Sequence, residues 1–170
     1  MAGQKFLVLN AGEPEEKAAI QASAGAADAG KVPALDAAGK LDQSMMPTGV
    51  GASVETIQAS EALGAGDWVN VYLDAGTRKV RKADATSAGK PANGFVKAAV
   101  ESGANAAVYV DGTNDQLSGL AAGAPYYLDT TAGGEAAAAP SGSGNVVQRL
   151  GTAVSATAIS FHPGPAYLLA

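Results

Sequence analysis

Polar and apolar residues alternate most plainly from Asp67 to Leu73 (DWVNVYL), with Val69, Val71 and Leu73 on one side and Trp68, Asn70 and Tyr72 on the other. A period of two marks a strand with two different faces. Asp74-Ala75-Gly76-Thr77 reads as a turn, and Arg78 to Ala83 as the returning partner, so residues 67–83 are predicted to form a hairpin. Ser53 to Ala59 alternates weakly ahead of it. Behind it come Asn93 to Val100, Ala106 to Val110 (closed by Asp111-Gly112), Leu117 to Leu120, Pro125 to Thr130, Asn145 to Ala153 and Thr157 to His162. Short runs at near-regular spacing, each bounded by Gly, Asp or Asn, predict a mainly β domain over residues 53–170: a compact antiparallel β-sandwich or β-barrel.

Residues 1–52 have a different texture and read as an N-terminal arm. Lys5 to Leu9 (KFLVL) has strand character. Glu13 to Ala24 is predicted as one short helix, because Pro14, Glu15 and Glu16 suit a first helical turn and Gly25 and Gly30 supply stops. Lys31 to Val50 (KVPALDAAGKLDQSMMPTGV) offers only one or two apolar residues at a time. Turns at Pro33, Asp36-Ala37-Ala38-Gly39, Asp42 and Pro47-Thr48-Gly49 separate them. This pattern predicts an extended chain laid over a neighbour's surface, with Val32, Leu35, Leu41, Met45 and Met46 as anchors. Pro33 and Pro47 limit the entropy lost on docking, and Met adapts to irregular pockets. The backbone of Lys31 to Asp36 is expected to be available for adding a strand to an exposed edge. The plainer reading of the same segment is a disordered linker.

Composition sharpens the picture. Of 170 residues 47% are hydrophobic but only 5% aromatic, so the apolar share is largely Ala and Val. Small side chains bury little area each, at roughly 25 cal/mol per Å². A thin core predicts stability gained through association. Net charge is −5, and the one basic cluster, Arg78-Lys79 and Arg81-Lys82, reads as the polar face of an exposed strand. Binding to nucleic acid by phosphate neutralisation therefore has no support. The chain has no cysteine, which excludes disulfides and thiolate metal sites. Phe6 to Leu9 is too short for a secretory signal, and no run approaches the ~18 apolar residues of a membrane span. A soluble product made in the cytoplasm, with no membrane partner, is expected.

Candidate chemistry is sparse. His162 is the sole histidine and reads as a strand-end residue at a turn rather than a general base. Asp111-Gly112-Thr113-Asn114-Asp115 places oxygens at alternate positions but lacks the closing Glu of a calcium loop, so a hairpin loop accounts for it. Gly142-Ser143-Gly144 precedes a strand, not the helix a phosphate loop needs. Asp111, Asp115 and Asp129 are the body acids to test for glycan hydrolysis, which requires two carboxylates at a set separation. Trp68, Tyr72, Tyr109, Tyr126 and Tyr127 read as core or subunit contacts before a sugar platform. No catalytic residue, metal or cofactor is predicted, and the chain is expected not to be an enzyme.

Several short motifs carry a resemblance. Asp67 to Tyr72, Ala92-Asn93-Gly94-Phe95-Val96, Val108-Tyr109, Leu117-Ser118-Gly119-Leu120, Gly123 with Tyr126-Tyr127-Leu128, and Val147 to Ala153 together resemble a module of tailed-bacteriophage virion proteins. The segment Lys31 to Gly49 is similar to those that precede such modules in capsid decoration (cement) and head-fibre proteins. The resemblance spans about residues 66–162 plus that segment. It implies a structural virion protein on the outer capsid surface, a homotrimer with a β-sandwich or β-barrel body, made in the host cytoplasm, whose partner is the major capsid protein. It carries no family active site. The contact candidates are Val32, Leu35, Leu41, Met45, Met46, Trp68 and Tyr72. The competing expectation is a head or tail fibre that binds a receptor or glycan through its aromatic residues.

Overall fold

A computed structural model of the chain describes residues 5–37, 39–46 and 53–170. The chain divides into two compact units, residues 1–51 and 52–170.

In the N-terminal unit β1 (Lys5–Asn10) and β2 (Glu13–Ala18) form an antiparallel hairpin, with Asn10 opposite Glu13 and Lys5 opposite Ala18. Ala11 and Gly12 link them with φ of +53° and +91°. Two consecutive left-handed residues are what a two-residue hairpin turn of the primed type demands. The helix predicted over Glu13 to Ala24 is therefore replaced by a strand in its first half. The tight turn delivers Glu13 directly into register with Asn10, and the charges that suited a helix start are matched across the ladder. Lys5 Nζ lies 3.3 Å from Glu16, and Asn10 Nδ2 donates to Glu15 at 3.0 Å. The second half is irregular up to a single 3-10 turn at Gly25–Asp28.

The segment from Lys31 onward folds back along residues 20–23 instead of running extended. Ile20 N–H donates to Val32 O at 3.0 Å, and Ala34 N–H to Ile20 O at 2.7 Å. Gln21 Nε2 reaches Leu35 O, and Ser23 N–H reaches Ser44 Oγ. The reversals fall at Gly30 and Gly39, both at positive φ, and a second 3-10 turn spans Gln43–Met45. Strand addition by Lys31 to Asp36 is thus corrected, since the backbone groups of Val32 and Ala34 are already used internally. Ala38 and the turn expected at Pro47-Thr48-Gly49 lie outside the described residues.

The C-terminal unit contains a closed five-stranded barrel and an open five-stranded sheet. The barrel comprises β3 (Val54–Ala59), β4 (Trp68–Asp74), β5 (Thr77–Lys82), β6 (Gly94–Val96) and β7 (Asn105–Tyr109), in the spatial order β3-β5-β4-β6-β7. Its pairings are antiparallel except that of β3 with β5, which is parallel. The open sheet has the order β10-β9-β12-β13-β8. Its strands are β8 (Gly112–Asn114), β9 (Pro125–Leu128), β10 (Glu135–Ala136), β12 (Arg149–Ser155) and β13 (Ala158–Phe161). A short ribbon pairs β11 (Val146–Val147) with β14 (Tyr167–Leu168).

Alternation explains how two cores coexist. Val69 and Val96 join Ile57, Val80, Ala106 and Val108 in one apolar cluster, drawn largely from the barrel strands. A barrel of few strands has a narrow interior, and small β-branched side chains fill it. The preceding residues, Trp68 and Phe95, point the other way and meet Leu128, Leu150, Ile159 and Phe161 of the open sheet. There the Trp68 ring centroid lies 5.6 Å from Phe95 and 5.2 Å from Phe161. Trp68, Phe95 and Phe161, three of the chain's nine aromatic residues, thus meet at this seam. Gln148, buried in the loop between β11 and β12, donates to Ala92 O at 3.0 Å and accepts from Ala92 N–H at 2.7 Å. Asn70 Nδ2 binds Pro91 O, Arg81 binds both Asn70 Oδ1 and Gly89 O, and Asp84 accepts from Thr86 and Lys90. The irregular stretch 84–93 is held by side chains where no ladder runs.

Candidate functional site

Within the N-terminal unit six of the ten described large apolar side chains are exposed, and Phe6, Val8, Ile20 and Met45 are half-buried. Leu7 and Leu9 are 74% and 78% exposed, and Val32, Leu35, Leu41 and Met46 are exposed as well. Among the described hydrophobic residues of this unit, Ala34 alone is buried. The cause is local. Each apolar residue of the 31–46 segment is followed by a turn or a backbone bridge, so no two stack into a core. In the hairpin, Leu7 and Leu9 share a face with Lys5, while Phe6 and Val8 on the other face are half-buried against an open groove of about 680 Å³ lined also by Ile20, Ala29 and Lys31. Leu7 and Leu9 were not among the contact candidates drawn from the sequence. The signal that identifies them is Asn10-Ala11-Gly12, the same kind of turn as Asp74-Ala75-Gly76.

The remaining two contact candidates sit in the body and differ sharply. Trp68 has no exposed surface and belongs wholly to the core. Tyr72 is partly exposed, with the Arg81 guanidinium 4.2 Å above its ring. Of the other aromatic residues weighed for a sugar platform, Tyr126 and Tyr109 belong to the packing of the same core as Trp68. Tyr109 stacks on Phe95 at 5.4 Å, and the buried Tyr126 accepts a hydrogen bond from Ala121 N–H at its hydroxyl. No shared aromatic surface is built from them.

The body's acids are mostly engaged in structure. Asp111 accepts from Ser53 N–H, Asp129 from Thr130 N–H, and Asp115 pairs with Lys97 Nζ at 3.2 Å. Hydrogen bonds from Gln116 and Lys97 hold the Asp115 carboxyl below the usual carboxylate range. His162 Nε2 is exposed, 3.3 Å from Ser160 Oγ. Among the described residues no group of three or more His, Asp or Glu side chains is placed to hold a metal ion.

One polar groove, about 350 Å³ and lined by Asp67, Gln116, Ser118, Thr131 and Glu135, lies beside the aromatic seam. Asp67 accepts from Gly64 N–H at 2.6 Å and faces Lys82 Nζ at 3.1 Å. Glu135 accepts from the Trp68 indole N–H at 2.9 Å. Burial pushes the Glu135 carboxyl above its ordinary value. The Trp68 donor opposes that shift, and the like charges of Asp129 and Asp67 reinforce it. The folded protein thus binds this proton more tightly than the unfolded chain does. The stability from that preference is complete below the ordinary glutamate range, about 4.3, and is lost as pH rises through the folded value. Glu135→Gln keeps an acceptor for Trp68 and removes the charge. The variant is expected to melt above the parent at pH 7, with the gap narrowing as pH falls through the folded value and closed below about 4. Thermal melts of both proteins at several pH values check this, and equal midpoints at pH 7 would contradict it.

No protein-family model matches this chain, and comparisons with curated proteins and with solved structures return no match.

Proposed function

We propose that this chain is a structural virion protein of a tailed phage that binds the outer capsid surface and stabilises the head. Its β body associates with copies of itself, as a homotrimer, and its N-terminal unit grips the major capsid protein. One observation carries this reading: the N-terminal unit keeps Leu7, Leu9, Val32, Leu35, Leu41 and Met46 exposed while burying Ala34. A segment of that length with so little internal core gains too little from burial to offset its ordering entropy. Its apolar surface is instead completed by another protein. The resemblance of Lys31 to Gly49 and of the body motifs to decoration proteins supports a capsid as that surface.

The mechanism is linkage. A protein that binds only the assembled lattice stabilises it by RT ln(1 + [L]/Kd), which reaches about 2.7 kcal/mol at a hundredfold excess over Kd. Joined copies add avidity, so grips that are weak singly hold firmly together. Removing residues 1–50 tests the idea, because the body has its own cores. The truncated protein is expected to remain folded and to lose binding to phage heads by at least about a hundredfold, measured by co-sedimentation with undecorated particles. Normal decoration by the truncated protein would refute the assignment of the grip to this unit.

A further inference from the structure

The hairpin has one open edge and one guarded edge. In a two-residue hairpin the residues flanking the turn form a hydrogen-bonded pair, and such pairs alternate with non-hydrogen-bonded ones. Asn10 with Glu13, Val8 with Glu15 and Phe6 with Lys17 are then the bonded pairs in this register. The N–H and C=O groups of Lys5, Leu7 and Leu9 point away from β2, and among the described residues no backbone group pairs with them. On the opposite edge the outward residues are Pro14, Glu16 and Ala18. Pro14 has no N–H to offer, and Glu16 adds a charge, both of which discourage further pairing. β1 has no proline at its outward positions, and its one charge there, Lys5, stands at the first residue of the strand and is held by Glu16 across the hairpin.

We infer that β1 is a self-pairing edge, through which two copies of this chain join by antiparallel pairing of their β1 strands about a two-fold axis at Leu7. The occupant is a second copy because the edge is self-complementary. With Leu7 on the axis, Lys5 of each copy faces Leu9 of the other, and all three outward residues find partners. No like charges oppose one another, and Lys5 keeps its own Glu16. Leu7 and Leu9 of both copies fall on one face and make a continuous apolar strip. The four-stranded sheet ends on both sides in β2, so growth stops at two copies. A two-stranded hairpin is marginal by itself, whereas four strands with an apolar face are not. The contact is small against the ~1,000 Å² of a stable interface, and a two-fold pairing has no place within a three-fold body, so it joins copies from two neighbouring trimers that a shared surface holds close.

The full-length chain tests this directly. It has no cysteine, so each single substitution introduces one thiol. Hydrogen-bonded partners on the axis would lie about 5.5 Å apart at Cα, within disulfide reach. Under mild oxidation Leu7→Cys is expected to form covalent dimer at least tenfold faster than Glu16→Cys on the guarded edge. Adding Leu9→Pro removes one outward donor and no β1–β2 bond, and is expected to slow the Leu7→Cys reaction at least tenfold. Circular dichroism of the body checks that each variant is folded. Equal rates at positions 7 and 16, or no effect of Leu9→Pro, would overturn the inference. The result is independent of the virion assignment: crosslinking without head binding removes only that assignment, and head binding without crosslinking removes only this edge.

Discussion

Trp68→Ala is expected to lower the unfolding free energy of the body by about 4 kcal/mol, the middle of the range for a buried Trp truncation. The side chain has no exposed surface and contacts Phe95 and Phe161, so it joins barrel to open sheet. Its loss leaves a cavity between two sheets, each fixed by its own ladder, which limits collapse. It also strips Glu135 of its indole donor and leaves a half-buried carboxylate against Asp67 and Asp129. Trp68→Phe, which keeps most of the volume, should cost about half as much. Urea unfolding followed by circular dichroism makes the measurement, because Trp68 is the chain's one tryptophan and its fluorescence disappears with it. A loss below about 1 kcal/mol would show that the seam is not the centre of the body.

Gly151→Ala should be still more damaging. Gly151 lies in β12, between Phe161 of β13 and Tyr126 of β9, where the register with β9 shifts. A Cβ built there falls on the backbone oxygen of Ser160, and Ile159 Cγ2 stands 3.2 Å away. Backbone in the middle of a sheet cannot yield as a flexible side chain does. Either β12 and β13 separate, with loss of ladder bonds, or the chain fails to fold. A destabilisation of at least about 4 kcal/mol is expected, in the range reserved for such disruptions. Gly103→Ala is the control, since its turn is open and only its φ of +85° opposes a side chain. That cost is about 1–2 kcal/mol. Thermal melts that place both variants within a degree of each other would refute the argument.

Two turns separate what the residue pattern reveals from what it hides. Asp74-Ala75-Gly76 was legible because clear alternation flanks it, and the structure places Asp74 opposite Thr77 as a two-residue hairpin requires. Asn10-Ala11-Gly12 is the same device, but Pro14, Glu15 and Glu16 imitate a helix start and hide it. Local propensity could not separate the readings. The register of charges across the ladder does. The β character of the body was legible from its turn spacing. Barrel closure was not, because the parallel contact of β3 with β5 joins residues about twenty positions apart that share no local signal. Alternation also assigned Trp68 and Tyr72 to one face of β4 without showing that the open sheet covers the first while the second stays partly exposed. In the arm, the turns that leave Val32, Leu35, Leu41 and Met46 outside any core were legible, whereas the return of Val32 and Ala34 onto Ile20 depends on backbone pairing that no side-chain pattern encodes.

The clamp of Gln148 on Ala92, with Asn70, Arg81 and Asp84 closing around the same stretch, has a dynamic consequence. Stretches lacking a ladder are ordinarily the first parts of a fold to open to solvent. Here residues 84–93 are expected to open only when contacts from β4, β5 and the β11–β12 loop, and the backbone bonds of Ala85 with Asp129 and Val146, are released together. The irregular segment is expected to move with the body as a strut, its rigidity stored largely in side chains rather than in repeating backbone geometry.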